Sequence, residues 1–191
     1  MPTRVPAPTI TGPLVYLRPP QRHDAATFIE AAKASRRAHG RWTSAPATRE
    51  RFTAYVDRYA RGAIPVTHTG FLMFTRDDDV LAGVFNFSEI VRGGFLSTYL
   101  GYYGFTPHIG KGYMSEGMAL SLDVAFARLK LHRVEVNVQP SNLRSVALAE
   151  RTGFTREGFS RRYVKIGGRW RDHLRYAMLA EDWRTLRKPR G

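Results

Sequence analysis

The chain has 191 residues, 43% of them hydrophobic and 12% aromatic, a length and balance that suit one compact α/β domain with a core of its own. It has no cysteine, which excludes disulfides, thiolate metal sites and cysteine nucleophiles, and charged residues interrupt each apolar stretch before it can span a bilayer. Thirty Lys and Arg against sixteen Asp and Glu leave a formal net charge of +14, which favours acidic partners: nucleic acid, a ribosomal surface or a phosphorylated cofactor.

The opening "MPTRVPAPTITGP" lacks the apolar core of a secretory signal and reads as an N-terminal arm over residues 1–13, so a cytoplasmic protein is expected. "LVYLRPP" at 14–20 alternates and stops at two prolines, as a first strand does. A helix is predicted over 23–35 with Asp24 in its first turn. A loop then enters a second helix capped by Thr48 or Ser44, with Phe52, Tyr55, Val56 and Tyr59 on one face. Three strands are expected at 70–75, 80–88 and 95–105, joined by the turns Asp77-Asp78-Asp79 and Arg92-Gly93-Gly94.

The clearest helix follows Gly112, where Met114, Met118, Leu122, Phe126 and Leu129 recur at helical spacing. A strand at 132–138 leads into a short helix capped by Asn142 and closed by Gly153. Two last strands, 154–166 and 170–180, flank Gly167-Gly168, and a basic tail is expected over 184–191. Without repeat or linker, residues 1–191 read as one domain of mixed α/β (α+β) class with helices on both faces of a sheet.

Gly110-Lys111-Gly112 lies between a strand and the strongest helix. "GKGYMSE" lacks the spacing of a P-loop, and Ser115 stands where a dinucleotide fingerprint needs its third glycine. The physics of the position remains: unpaired N–H groups at a helix start attract an anion, and glycine lets a pyrophosphate approach the backbone. A plain tight turn is the competing reading. No nucleic-acid-binding motif accompanies the basic charge, which therefore supports association with RNA or a ribosome but no reading of sequence.

"GKGYMSEGM", followed some thirty residues later by "NLRSVALAERTGF", resembles the cofactor core of the GNAT superfamily of N-acetyltransferases. That family carries Gln/Arg-x-x-Gly-x-Gly/Ala; here Pro107 takes the Gln/Arg position, which removes one side chain but no later backbone donor. "NFSEIVRGGF", "YLGYYGFTPHIGKGYMSEG", "HRVEVNVQPSNLRSVALAERTGFTREGF" and "GGRWRDH" together resemble the RimJ-type ribosomal-protein-alanine N-acetyltransferases, from about Leu14 to Trp183.

The resemblance implies a mostly antiparallel sheet with one splayed parallel pair, 95–105 and 132–138, wedged open by acetyl-CoA. It places the pantetheine against the backbone of Tyr103, Gly104 and Phe105. The pyrophosphate would rest on the N–H groups of Ile109, Gly110, Lys111, Gly112, Tyr113 and Met114, and Asn142 and Ser145 would meet the cofactor arm. No metal is implied.

Transfer to an amine needs a neutral nucleophile, an oxyanion donor and a proton for the leaving thiolate. An α-amine, with a reference pKa of about 7.7–8.0, needs far less help than a Lys at about 10.4, so a protein N-terminus suits a weak or water-relayed base. Many relatives protonate the thiolate with a Tyr where Ala149 stands here, which leaves Ser145, one turn earlier, as the best remaining donor, with an ordinary small polar helix residue as the competing reading. Asn137 occupies a position where some relatives place a Glu base and can orient a water instead. Glu89, read as a loop residue that meets the incoming terminus or else as a solvated surface charge, and Glu135 are further carboxylates; Trp42, Trp170, Asp172 and His173 are expected around the acceptor. Three functions follow: acetyl transfer to a ribosomal protein N-terminus, the same chemistry on a small amine, or a basic ribosome-binding protein without turnover.

Overall fold

The computed structural model describes residues 10–40, 42–59 and 66–187. Its sheet has eight strands in the order β1-β2-β3-β4-β5-β6-β8-β7. They are β1 (Ile10–Thr11), β2 (Val15–Arg18), β3 (Thr69–Thr75), β4 (Leu81–Val91), β5 (Ser97–Gly104), β6 (Arg133–Val138), β7 (Thr155–Ile166) and β8 (Arg169–Leu179). Every neighbouring pair is antiparallel except β5 and β6.

Both faces of the sheet are covered. On one, α1 (Ala25–Ala34), the short α2 (Arg36–His39) and α3 (Arg49–Tyr59) lay Phe28, Phe52, Tyr55 and Val56 over Leu72, Val84 and Phe105. Thr48 Oγ1 accepts from Arg51 N at 3.3 Å, the cap expected from the sequence. On the other face lie α4 (Tyr113–Asp123), α5 (Leu143–Arg151) and α6 (Ala180–Arg187). There Met118, Leu122, Leu148 and Trp183 pack on Phe85, Val134, Val136 and Met178. Helix α4 has a glycine inside it because the approach is close: a Cβ on Gly117 would sit 2.5 Å from Met73 and Phe85. After Asp123 the helix widens to a π turn over Val124–Arg128, with Leu129 N donating to Val124 O.

The parallel pair positions the site. β5 and β6 are in register only over Ser97–Tyr99 and Arg133–Glu135. Beyond that, β5 stays with β4 as far as Gly104 and β6 stays with β8 as far as Val138, so the two strands part. Backbone groups on the facing edges therefore have no ladder partner past Tyr99, and a ligand can take their place.

Several expectations change in detail. The basic stretch at 184–191, expected as a tail, begins inside α6, whose Trp183 is buried and donates to Asp123 Oδ1 at 2.9 Å; residues 188–191 lie outside the described range. Of the arm over 1–13, residues 1–9 also lie outside it, while Ile10 and Thr11 pair with β2. Glu89 is not on a loop. It sits in β4, where the register shifts between Ser88 and Val91, with φ of +50°. Among the described residues no helix is long and apolar enough to cross a membrane.

Candidate active site

Where β5 and β6 part, a cleft of about 1170 Å³ passes through the sheet. One wall is β5 at Tyr102, Tyr103 and Gly104; the other is β6 at Asn137 and Val138, continued by Gln139 just past its end. The α4–α5 side adds Ile109, Gly110, Gly112, Met114, Asn142 and Ser145. The opposite side adds His39, Trp42, Thr43 and Tyr59. One ligand can thus enter over α4 and α5 and another beside α2 and α3.

The loop before α4 is a cradle of donors. Gly110 has φ of +90°, and Gly112, which caps α4, has φ of +85°, values that β-carbon-bearing residues rarely adopt. Among the described residues, no N–H from Ile109 to Met114 donates to a protein acceptor, whereas Ser115 N already turns back to Gly112 O at 3.0 Å. A Cβ on either glycine would meet no protein atom within 4 Å, so what glycine keeps clear there is outer space that a ligand can use. A pyrophosphate fits such a row of free donors at the positive end of a helix.

The charge near this cradle differs from the sequence expectation. Lys111 is exposed and does not line the cleft; Arg144 and Arg151 from α5 do. Arg151 donates to Ser115 Oγ through Nε at 3.3 Å and Nη2 at 3.2 Å, which holds its guanidinium beside the loop. Tyr113 also lies off the lining, its ring 6.2 Å from that of His108.

Phe105 is not brought to the cleft. Its ring is fully buried against Phe28, its N–H donates to Ala82 O at 2.8 Å, and its carbonyl accepts from His108 N at 2.9 Å. Gly104 does line the cleft, but its carbonyl accepts from His39 Nε2 at 2.9 Å. Burial lowers the His39 pKa despite that bond, so the ring is neutral near pH 7. Tyr103 packs edge-on to His39, and burial raises its phenol far above the ordinary range.

Tyr102 bridges the opening. Its hydroxyl donates to Ser145 O at 3.1 Å, and burial pushes its pKa up to about 12. Asn142 caps α5 by accepting from Ser145 N at 3.3 Å. The backbone of Ser145 is therefore held at both its carbonyl and its N–H at the cleft wall. Across from it, Asn137 Oδ1 is buried with no hydrogen-bond partner among the described residues, the state of a group that waits for a water or ligand.

The carboxylate candidates separate. Glu135 accepts from Arg133 Nε at 2.8 Å, and the same Arg133 forks onto Glu157, so Glu135 is occupied. Glu89 projects at the rim, 64% exposed and 3.7 Å from His68 Nε2, while its neighbour Ser88 lines the cleft. Trp42 and His173 do reach the cleft. Trp170 is exposed, and Asp172 accepts from Arg162 N at 2.7 Å. Among the described residues no group of His, Asp or Glu could hold a metal.

Sequence reasoning missed His39, Tyr59, Asn86 and Arg151. Two of these carry a usable signal. Asn86 and Ser88 are polar residues two apart within the apolar strand β4, on the face that turns to the cleft. Arg144 and Arg151 lie seven apart, on one stripe of α5.

Comparison with known proteins agrees with this geometry. The acetyltransferase (GNAT) domain pattern matches residues 15–155. A probable N-acetyltransferase of Bacillus subtilis is 35% identical over 182 residues, 91% of this chain and 98% of its own. The ribosomal protein uS5-alanine N-acetyltransferase of Escherichia coli is 39% identical over 113 residues, 59% of this chain and 58% of its own. The structure of Mycobacterium smegmatis RimJ in complex with a CoA disulfide superposes with a TM-score of 0.82 at 27% identity, covering 90% of this chain and 87% of that one. A purely binding role without turnover is set aside by these relatives. The splayed strands, the open donor loop and the matched domain together make the chain a member of the GNAT family of N-acetyltransferases.

Proposed function

We propose that the chain transfers the acetyl group of acetyl-CoA to the N-terminal α-amine of a protein, and that this protein is ribosomal. The observation that carries the reading is the absence of any carboxylate from the cleft lining. No residue outside the described range is Asp or Glu, so none can supply one. A polyamine or an aminoglycoside presents several ammonium groups, which a site without carboxylates leaves unpaired. A terminal α-amine loses its charge near pH 8 and needs no such partner.

Acetyl-CoA supplies the acetyl group as a thioester, with its pyrophosphate on the N–H groups of Ile109, Gly110, Lys111, Gly112, Tyr113 and Met114. Arg144 and Arg151 add charge at that end. Tyr103 and Gly104 border the pantetheine path, which Asn142 and Ser145 face from α5. The amine nitrogen bonds to the acetyl carbon and the carbon–sulfur bond breaks; the amine's extra proton leaves to solvent and the thiolate gains one. In this reading Ser145 Oγ gives the proton to sulfur and regains one from solvent, while a water held by Asn137 takes the proton from nitrogen and passes it by way of Glu89 at the rim to solvent.

The name of the Escherichia coli relative supports a ribosomal acceptor. The net charge of +14 suits an acceptor carried on an RNA-rich particle. Mass spectrometry of ribosomal proteins from cells lacking the gene tests the proposal: one N-terminus should lose its acetyl group. An unchanged set of acetylated N-termini contradicts it.

A further inference from the structure

The cleft continues past Tyr59 and Asn86. A second groove of about 390 Å³ shares Thr43, Tyr59, Asn86 and Tyr103 with it and runs between α3 and the segment 43–46. Its floor is fixed, because buried Tyr55 donates to Asn86 Oδ1 at 2.9 Å and packs 5.0 Å from the ring of Tyr59. Its lining is cationic: Arg51 and Arg58 stand two helical turns apart on the stripe of α3 that carries Tyr55 and Tyr59.

Neither arginine forms an ion pair among the described residues; Arg51 Nη2 donates to Ser44 Oγ at 3.3 Å. The acids nearby are engaged elsewhere. Asp57 is paired with Arg22 at 2.8 Å, and Glu50, fully exposed, has its pKa lowered by its own backbone N–H and by Thr48. Glu89 stands beside His68. Among the described residues no carboxylate lines the groove.

We propose that this groove receives the second to fourth residues of the acceptor chain, and that Arg51 and Arg58 select acidic side chains there. The inference rests on the α-amine reading above. An acceptor chain whose amine lies in the cleft must leave through an opening, and this one is continuous with it. The lengths agree. Seven residues of helix between the arginines rise about 10 Å, and three residues of extended chain cover about the same distance.

Transfer to Ala-starting peptides carrying Glu, Gln or Lys at position two, three or four is the test. At one or more of these positions Glu should exceed Gln in kcat/KM by about three- to tenfold, through KM, as partly exposed charge pairs allow. The advantage should shrink as salt rises. The Arg51→Glu/Arg58→Glu double variant should favour Lys over Glu. If its thermal midpoint shows that it does not fold, the Arg51→Gln/Arg58→Gln variant should bring the ratio of Glu to Gln peptides close to one. Wild-type transfer that ignores Glu, Gln and Lys at all three positions overturns the groove's role while leaving the α-amine reading intact. A preference for Glu that survives in the variants overturns the assignment to these arginines. Failure to acetylate any free N-terminus overturns the α-amine reading and this inference with it.

Discussion

The two ends of the cleft are built from different materials. The cofactor arm is mostly backbone: free N–H groups from Ile109 to Met114, two glycines with positive φ, and strand edges left open where β5 and β6 part. The acceptor mouth is mostly side chains: His39 and Trp42 from one segment, Tyr59 from α3, Asn86 from β4, and His173 from β8. Backbone donors recognise a phosphate whatever the neighbouring side chains are, so the first end suits a ligand common to a family. Side chains gathered from distant segments can change one at a time, so the second end suits a ligand particular to this chain.

The strongest way to break the comparison is to disable the backbone end alone. Gly112→Val places a β-branched residue at φ of +85°, with its Cβ in the open space at the approach to the cradle. Titration calorimetry with acetyl-CoA should show affinity reduced by at least about a hundredfold, the value of several lost donor contacts. Wild-type affinity would mean that the loop is only a turn.

Ser145→Ala probes the seam between the two ends. If Ser145 protonates the thiolate, the saturated single-turnover rate should fall by up to about a hundredfold, the low end of general acid catalysis, with acetyl-CoA affinity nearly unchanged. The effect should be limited because the leaving thiol is itself acidic, with a reference pKa of about 8.5 for a Cys-like group. A fall in affinity with an unchanged rate would make Ser145 a contact of the cofactor instead.

The contrast also explains how much the sequence could reveal. The loop was legible because its evidence is local: glycines next to each other, a strand before and an amphipathic helix after. The cap at Asn142 was legible for the same reason. Phe105 misled because adjacency to Tyr103 and Gly104 says nothing about which of its backbone groups the next strand consumes; here β4 takes its N–H through Ala82. Glu89 misled because a bulge with positive φ interrupts a strand without any glycine to mark it. His39 was out of reach altogether, since its bond to Gly104 joins positions 65 residues apart. The helix α6 was hidden by its charge, which reads as a tail until Trp183 is seen buried.

Tyr102→Phe should give a smaller effect. Losing the hydroxyl that reaches Ser145 O removes one tether between β5 and α5, worth about 1 kcal/mol. Denaturant unfolding should register that loss, and KM for acetyl-CoA should rise modestly. No change in either would show that the two walls are held by packing alone.

The gentlest probe is pH. Burial lowers the pKa of His39, His108 and His173 below the ordinary value of 6.5. The unfolded chain therefore binds more protons than the folded one as pH falls through 6.5, and stability should decline there, above the range where carboxylates titrate. Thermal midpoints measured from pH 8 down to pH 5 should show the decline begin near pH 6.5 and continue downward. A flat profile would contradict the burial of these rings.

The central claim is transfer to a terminal α-amine. An Ala-starting peptide with an internal Lys, the same peptide blocked at its N-terminus, and spermidine can be offered to the enzyme with acetyl-CoA, and the acetylated atom located by fragmentation mass spectrometry. The account predicts one acetyl group on the α-nitrogen of the free peptide, with the blocked peptide and spermidine unmodified. Acetylation of spermidine or of the Lys side chain, with the α-amine left free, would contradict it.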